Sequence, residues 1–136
     1  MTRDREPLIL IVDDDPDFLA INRHILEKAG YRVATASEPA EALQSMAAQK
    51  PDLVITDLMM TSIDSGFSLS SAIKDDPRFA GVPVIISTSV SSKLGLDFRP
   101  RTAADLQTMR IDAYFDKPLD AQRLLQKVAE LLGKAS

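Results

Sequence analysis

Five short, β-branched runs alternate with longer amphipathic segments along this 136-residue chain. That alternation predicts an α/β fold, a doubly wound parallel five-stranded sheet of (βα)5 form with helices on both faces. Two further observations point the same way. The runs Leu8-Ile9-Leu10-Ile11-Val12 and Leu53-Val54-Ile55-Thr56 are apolar without polar alternation, as strands buried on both faces are. Each is closed by acids, Asp13-Asp14-Asp15 and Asp57, which puts polar groups at the carboxyl ends of strands, where open α/β sheets bind ligands.

The elements follow in order. The first strand spans 8–12, and Asp15-Pro16 has the form of an N-cap followed by proline at the first helical position. Phe18, Ile21, Ile25 and Ala29 keep helical spacing until Gly30 stops the run. Tyr31 to Ala36 supplies the second strand, and Ser37 is placed to cap a second helix carrying Ala42, Leu43 and Met46. The third strand covers 52–56; Leu69, Ala72 and Ile73 mark a third helix; residues 82–87 form the fourth strand. Ala103, Leu106 and Met109 give a short helix over 103–109, with Pro100 two residues before a Thr102 cap. A fifth strand at 112–116 precedes a last helix bearing Leu124, Leu125, Val128, Leu131 and Leu132.

Composition bounds the function. Hydrophobic residues make up 45% against 26% charged, and no apolar stretch approaches the roughly 18 to 20 residues of a membrane span, so a soluble protein with no membrane partner is expected. The polar N-terminus lacks the apolar segment of a secretory signal, which implies a cytoplasmic location. The absence of cysteine excludes disulfides, thiolate metal sites and a cysteine nucleophile. A net charge of −4 argues against nucleic-acid binding and favours protein partners. One domain over 1–136, with a core of about 8–132, fits this length.

The acids carry the chemistry. Two unit charges about 4 Å apart interact by roughly 4 kcal/mol at an effective dielectric near 20, so clustered carboxylates either hold a cation or keep a proton. Mg2+ (or Mn2+) suits such hard oxygen donors. Thr88 and Lys117 also end strands, and a hydroxyl, a lysine and clustered Asp are what phosphoryl transfer to a carboxylate needs. Asp57 is then the nucleophile, Asp13 and Asp14 hold the cation, and Lys117 and Thr88 contact phosphoryl oxygens. Asp15 reads as a helix cap, Asp17 as a first-turn acid, Asp52 as a solvated loop acid, and the single histidine, His24, as an ordinary helix residue.

Four segments, Ile-Val-Asp13-Asp14-Asp15-Pro16, Asp57-Leu-Met-Met, Pro83-Val-Ile-Ile-Ser-Thr88 and Tyr114-Phe-Asp-Lys117-Pro118, closely resemble the receiver domain of two-component response regulators over residues 8–132. The resemblance implies a flavodoxin-like sheet of strand order 2-1-3-4-5, resembling single-domain chemotaxis regulators. It implies metal binding by Asp13, Asp14, Asp57 and the Met59 backbone carbonyl, a switch pair of Thr88 and Tyr114, and a cis Lys117-Pro118 peptide. The function implied is a stand-alone receiver that takes a phosphoryl group from a histidine kinase or phosphotransfer protein onto Asp57. It would hydrolyse that group slowly without being a turnover enzyme, and signal to a downstream protein through the 89–116 face, as a monomer or a phosphorylation-dependent dimer.

The chain departs from the family pattern twice. No proline follows Asp57-Leu-Met-Met, and the loop Thr61-Ser62-Ile63-Asp64-Ser65-Gly66 is one residue longer than usual. The segment 89–110 is also extended, and Lys93, Arg99, Arg101 and Arg110 against Asp97 and Asp105 make it basic within an acidic chain. Two alternatives stand beside the receiver reading. One is a phosphorylation-independent scaffold. The other is a haloacid-dehalogenase-type phosphatase using Asp13 and Asp15, which would leave Asp57 without a role.

Overall fold

The computed structural model describes residues 7–57, 65–88, 112–116 and 120–135. Five strands, β1 (Leu8–Val12), β2 (Arg32–Ala36), β3 (Leu53–Thr56), β4 (Val84–Thr88) and β5 (Ala113–Asp116), pair in parallel in the order β2-β1-β3-β4-β5. The helices are α1 (Pro16–Lys28), α2 (Pro39–Ala48), α3 (Ser65–Asp75) and α4 (Ala121–Ala135). This is the architecture and order the sequence predicts. The short helix expected over 103–109 lies outside the described residues. Among the described residues no helix is long and apolar enough to cross a membrane.

Strand alternation divides one sheet into two cores. Leu10, Val12, Val54, Val84 and Ile86 point to one face and pack with Ala42 and Met46 of α2 and Leu69 and Ile73 of α3. Ile9, Ile11, Leu53, Ile55 and Ile85 point to the other and meet Leu26 of α1 and Leu124, Val128 and Leu131 of α4. Each fully buried Leu or Ile side chain contributes about 1.5–3 kcal/mol, so the uniform apolar runs of β1 and β3 hold the centre. Parallel register then carries the chain ends of β1 and β3 to the same edge: Ile11 pairs with Ile55 and Val12 with Thr56.

Local details correct several expectations. On α1 the buried residues are Asn22 and Leu26, while Ile21 is 59% exposed, so the apolar face is rotated from the Phe18-Ile21-Ile25-Ala29 stripe. Asn22 tolerates that face because its amide donates to the Phe18 carbonyl at 2.9 Å. The N-cap of α2 is Glu38, not Ser37, because Pro39 fixes the first helical position. Ser37 instead donates its backbone N–H and hydroxyl to Glu41 Oε1, at 2.7 and 2.8 Å. β4 begins at Val84, two residues later than the apolar run, since Pro83 has no N–H for the ladder, though its carbonyl accepts from Val54 at 3.0 Å. Ser65 and Gly66, read as loop, open α3.

The turn after α1 does match its sequence signal. Gly30 adopts φ +100°, the left-handed region. Its N–H donates to Glu27 O and that of Tyr31 to Leu26 O, which satisfies the last carbonyls of the helix and brings Tyr31 against the Leu26 core.

Candidate functional site

Asp13 and Asp57 are the first residues past β1 and β3, and both stay in the ladder: Asp13 N–H donates to Ala36 O at 3.0 Å and Asp57 N–H to Val12 O at 2.9 Å. Fixed backbones bring the two side chains together. Asp13 is fully buried, Asp57 is 7% exposed and Asp14 is exposed. One carboxylate oxygen from each of Asp13, Asp14 and Asp57 lies within 4.8 Å of the others. Three hard, anionic donors at that separation fit a single small divalent cation, whose oxygen ligands sit about 2.0–2.1 Å from its centre. The donor set excludes softer ligands, as His24 lies on an exposed position of α1 and the chain has no cysteine.

The third acid of the triplet does something else. Asp15 Oδ1 accepts from the N–H groups of Asp17 at 2.9 Å and Phe18 at 3.4 Å, so it caps α1 as the sequence predicts. Its carboxylate is committed to the helix, which leaves the alternative Asp13/Asp15 catalytic pair without its second acid. The Asp15 N–H donates to Asp13 Oδ1 at 2.9 Å.

Of the remaining candidates, Thr88 and Tyr114 lie in β4 and β5, in register positions that pair Thr88 with Asp116 and Tyr114 with Ile86. Their side chains are outside what the structure describes. Met59, Lys117, the 58–64 loop and the extended 89–110 segment also lie outside the described residues. Ser87, at the end of the strand expected over 82–87, is fully buried, and among the described residues its hydroxyl has no hydrogen-bond partner.

Two acids sit at the opposite edge of the sheet. Asp52 Oδ2 accepts the Leu8 N–H at 2.8 Å while its own N–H donates to Leu8 O at 2.7 Å, so it is a strand clamp and not merely the solvated acid expected. Asp112 repeats the arrangement with Val84, both bonds at 2.8 Å, and its Oδ2 also meets Lys74 Nζ at 3.0 Å. Sequence distance hid both contacts.

Comparison with known proteins agrees with this geometry. The chain is 36% identical over 94% of its length to the "DNA-binding dual master transcriptional regulator RpaA" of Synechocystis sp., of which it covers 50%. It is 28% identical to the "Polar-differentiation response regulator DivK" of Brucella anthropi, covering 93% of this chain and 97% of that one. A receiver-domain structure from Clostridium thermocellum superposes with a TM-score of 0.76 at 27% identity, over 94% of this chain and 95% of that one. The chain spans half or less of the length of the first curated relatives it matches. The sequence model of the "Response regulator receiver domain" family matches residues 9–129. With its parallel sheet in the order β2-β1-β3-β4-β5 and acids gathered at the ends of β1 and β3, this chain belongs to the response regulator receiver domain family.

Proposed function

We propose that the chain is a phosphoacceptor in a cytoplasmic phosphorelay, with Asp57 receiving the phosphoryl group from a phosphohistidine of a histidine kinase or phosphotransfer protein. The observation that carries this reading is the meeting of Asp57 with Asp13 and Asp14 at the carboxyl edge, with oxygens within 4.8 Å of one another. A Mg2+ or Mn2+ ion held by Asp13, Asp14, Asp57 and the Met59 carbonyl would supply the positive charge that phosphoryl oxygens require.

The chain's own residues do the rest. A carboxylate oxygen of Asp57 attacks phosphorus; an O–P bond forms as the P–N bond breaks, and the bonding pair stays on the imidazole nitrogen, whose ring leaves neutral when its other nitrogen carries a proton. The ladder bond from Asp57 N–H to Val12 O holds the nucleophile's backbone in place, which lowers the entropic cost of the in-line approach. Lys117 and Thr88 stabilise the transferred oxygens as ammonium and hydroxyl donors. Thr88 and Tyr114 then report the modification to a downstream protein through the 89–116 face, by shifting the balance between two arrangements in a monomer or a phosphorylation-dependent dimer. Such a protein modifies itself and turns over no separate substrate.

Incubation with Mg2+ and acetyl phosphate, followed by intact mass, tests the reading. Wild type is expected to gain one phosphoryl group and Asp57→Asn none; labelling that survives the substitution would remove Asp57 from the role.

A further inference from the structure

Asp15 is engaged on three sides at once. Its N–H donates to Asp13 Oδ1 at 2.9 Å, its carboxylate accepts from Asp17 and Phe18, and its carbonyl accepts from the Leu19 N–H at 3.1 Å. The residue takes an extended conformation, φ −96° and ψ 108°, between the end of β1 and Pro16 at the helix start. A carboxylate torsion is broad and roughly two-fold when nothing restrains it. Fixing Oδ1 of Asp13 from Asp15 therefore limits how the buried carboxylate turns relative to Asp14 and Asp57.

We propose that Asp15 is a positioning residue, linking the cation ligand Asp13 to the first turn of α1 so that cation binding and order at the helix start stabilise each other. The inference rests on the reading of Asp13, Asp14 and Asp57 as a cation site. Its logic is mechanical. Without the cap, the Asp17 and Phe18 N–H groups lose their acceptor, the Asp15 peptide is no longer held against α1, and its N–H no longer points steadily at Asp13. Linkage then runs both ways: a cation that prefers the restrained Asp13 must also favour the capped helix.

Charge offers a competing explanation, because Asp15 is itself anionic and close to the site. The two separate by substitution. Asp15→Asn keeps a side-chain oxygen for the cap and removes the charge, whereas Asp15→Ala removes both. Calorimetric titration with Mg2+ at 0.15 M salt is expected to show binding weakened about fivefold in Asp15→Ala, the factor a lost cap of ordinary strength represents, and close to wild type in Asp15→Asn. Amide exchange on the wild type supplies a measurement independent of any variant's folding: Mg2+ should slow exchange at Asp17 and Phe18.

The outcomes divide cleanly. A wild type that binds no Mg2+ sinks the cation reading and this inference with it. Binding in the wild type with no change at the Asp17 and Phe18 amides, with equal affinity in Asp15→Ala, or with Asp15→Asn as weak as Asp15→Ala overturns the positioning role alone. An Asp15→Ala protein that fails to fold leaves the decision to the exchange measurement and to the Asn variant.

Discussion

The two edges of the sheet use the same residue type to opposite ends. At the amino edge, Asp52 and Asp112 each accept the first N–H of a neighbouring strand and return their own N–H to the same residue, so the acids close the ladder. At the carboxyl edge, Asp13, Asp14 and Asp57 gather within 4.8 Å of one another. The asymmetry comes from the parallel sheet itself. Strands begin with N–H groups that need an acceptor, which a carboxylate satisfies, and they end in carbonyls, which offer an acid nothing. An acid at the amino edge therefore strengthens the fold, whereas acids at the carboxyl edge create a demand for positive charge.

Asp112→Ala should break the comparison hardest. It strands the N–H of Val84, a fully buried residue, and leaves the Lys74 ammonium, 19% exposed, with the Val82 carbonyl at 3.0 Å as its one remaining partner among the described residues. A buried donor and a partly buried charge deprived of their shared partner cost together about 3 kcal/mol. Urea unfolding should show that loss, with Asp112→Asn recovering the part due to the Val84 bond. A loss below about 1 kcal/mol would mean that water replaces the carboxylate and that the amino-edge acids are not clamps.

Asp52→Ala should cost less, about 1–2 kcal/mol, because Asp52 is exposed and its carboxylate holds one N–H, with no ion pair among the described residues. Ser87→Ala, nearer the other edge, is expected to have the opposite sign. The fully buried Ser87 hydroxyl has no hydrogen-bond partner among the described residues, so removing it should raise stability by about 1 kcal/mol. If chemical denaturation gave both variants the same sign, the contrast between an edge built for stability and one that is not would fail.

The sequence reveals the carboxyl edge far better than the amino edge, and distance along the chain explains why. Asp13, Asp14 and Asp57 each follow an apolar run directly, so strand ends and site coincide once the strands are recognised. Asp52 binds a residue 44 positions away and Asp112 one 28 positions away, and nothing near either in the chain announces a partner. The buried face of α1 is hard to read from the sequence for a different reason. A polar residue, Asn22, occupies the buried stripe by bonding its own helix, while Ile21 faces outward, so residue type there disagrees with burial. Pro39 was a legible signal for the Glu38 cap, and it outweighs the capping preference of Ser37.

The smallest effect concerns two acids held below their ordinary pKa, the exposed Glu41 and the half-buried Asp76, one near each edge. Glu41, beside the carboxyl end of β2, is held below its ordinary 4.5 first by the Ser37 N–H and then by the Ser37 hydroxyl. Asp76, in the turn leading to the amino end of β4, is held below 3.8 first by hydrogen bonding from the Arg78 side chain and then by its backbone N–H. Both shifts are downward, so each acid adds stability above its unfolded pKa, and that contribution disappears as pH falls through the lower folded value. The window is therefore acidic, below about pH 4.5 for Glu41 and below about pH 3.8 for Asp76. Solvent screening keeps both contributions small, since Glu41 is exposed and Asp76 partly so. Their response to salt should differ, because a guanidinium partner is screened and a backbone N–H is much less so. Acid unfolding of Glu41→Gln and Asp76→Asn at low and high NaCl is expected to show the Asp76 contribution shrinking with salt while that of Glu41 persists. Equal salt sensitivity would show that net charge, and not the local donor, sets the titration of both.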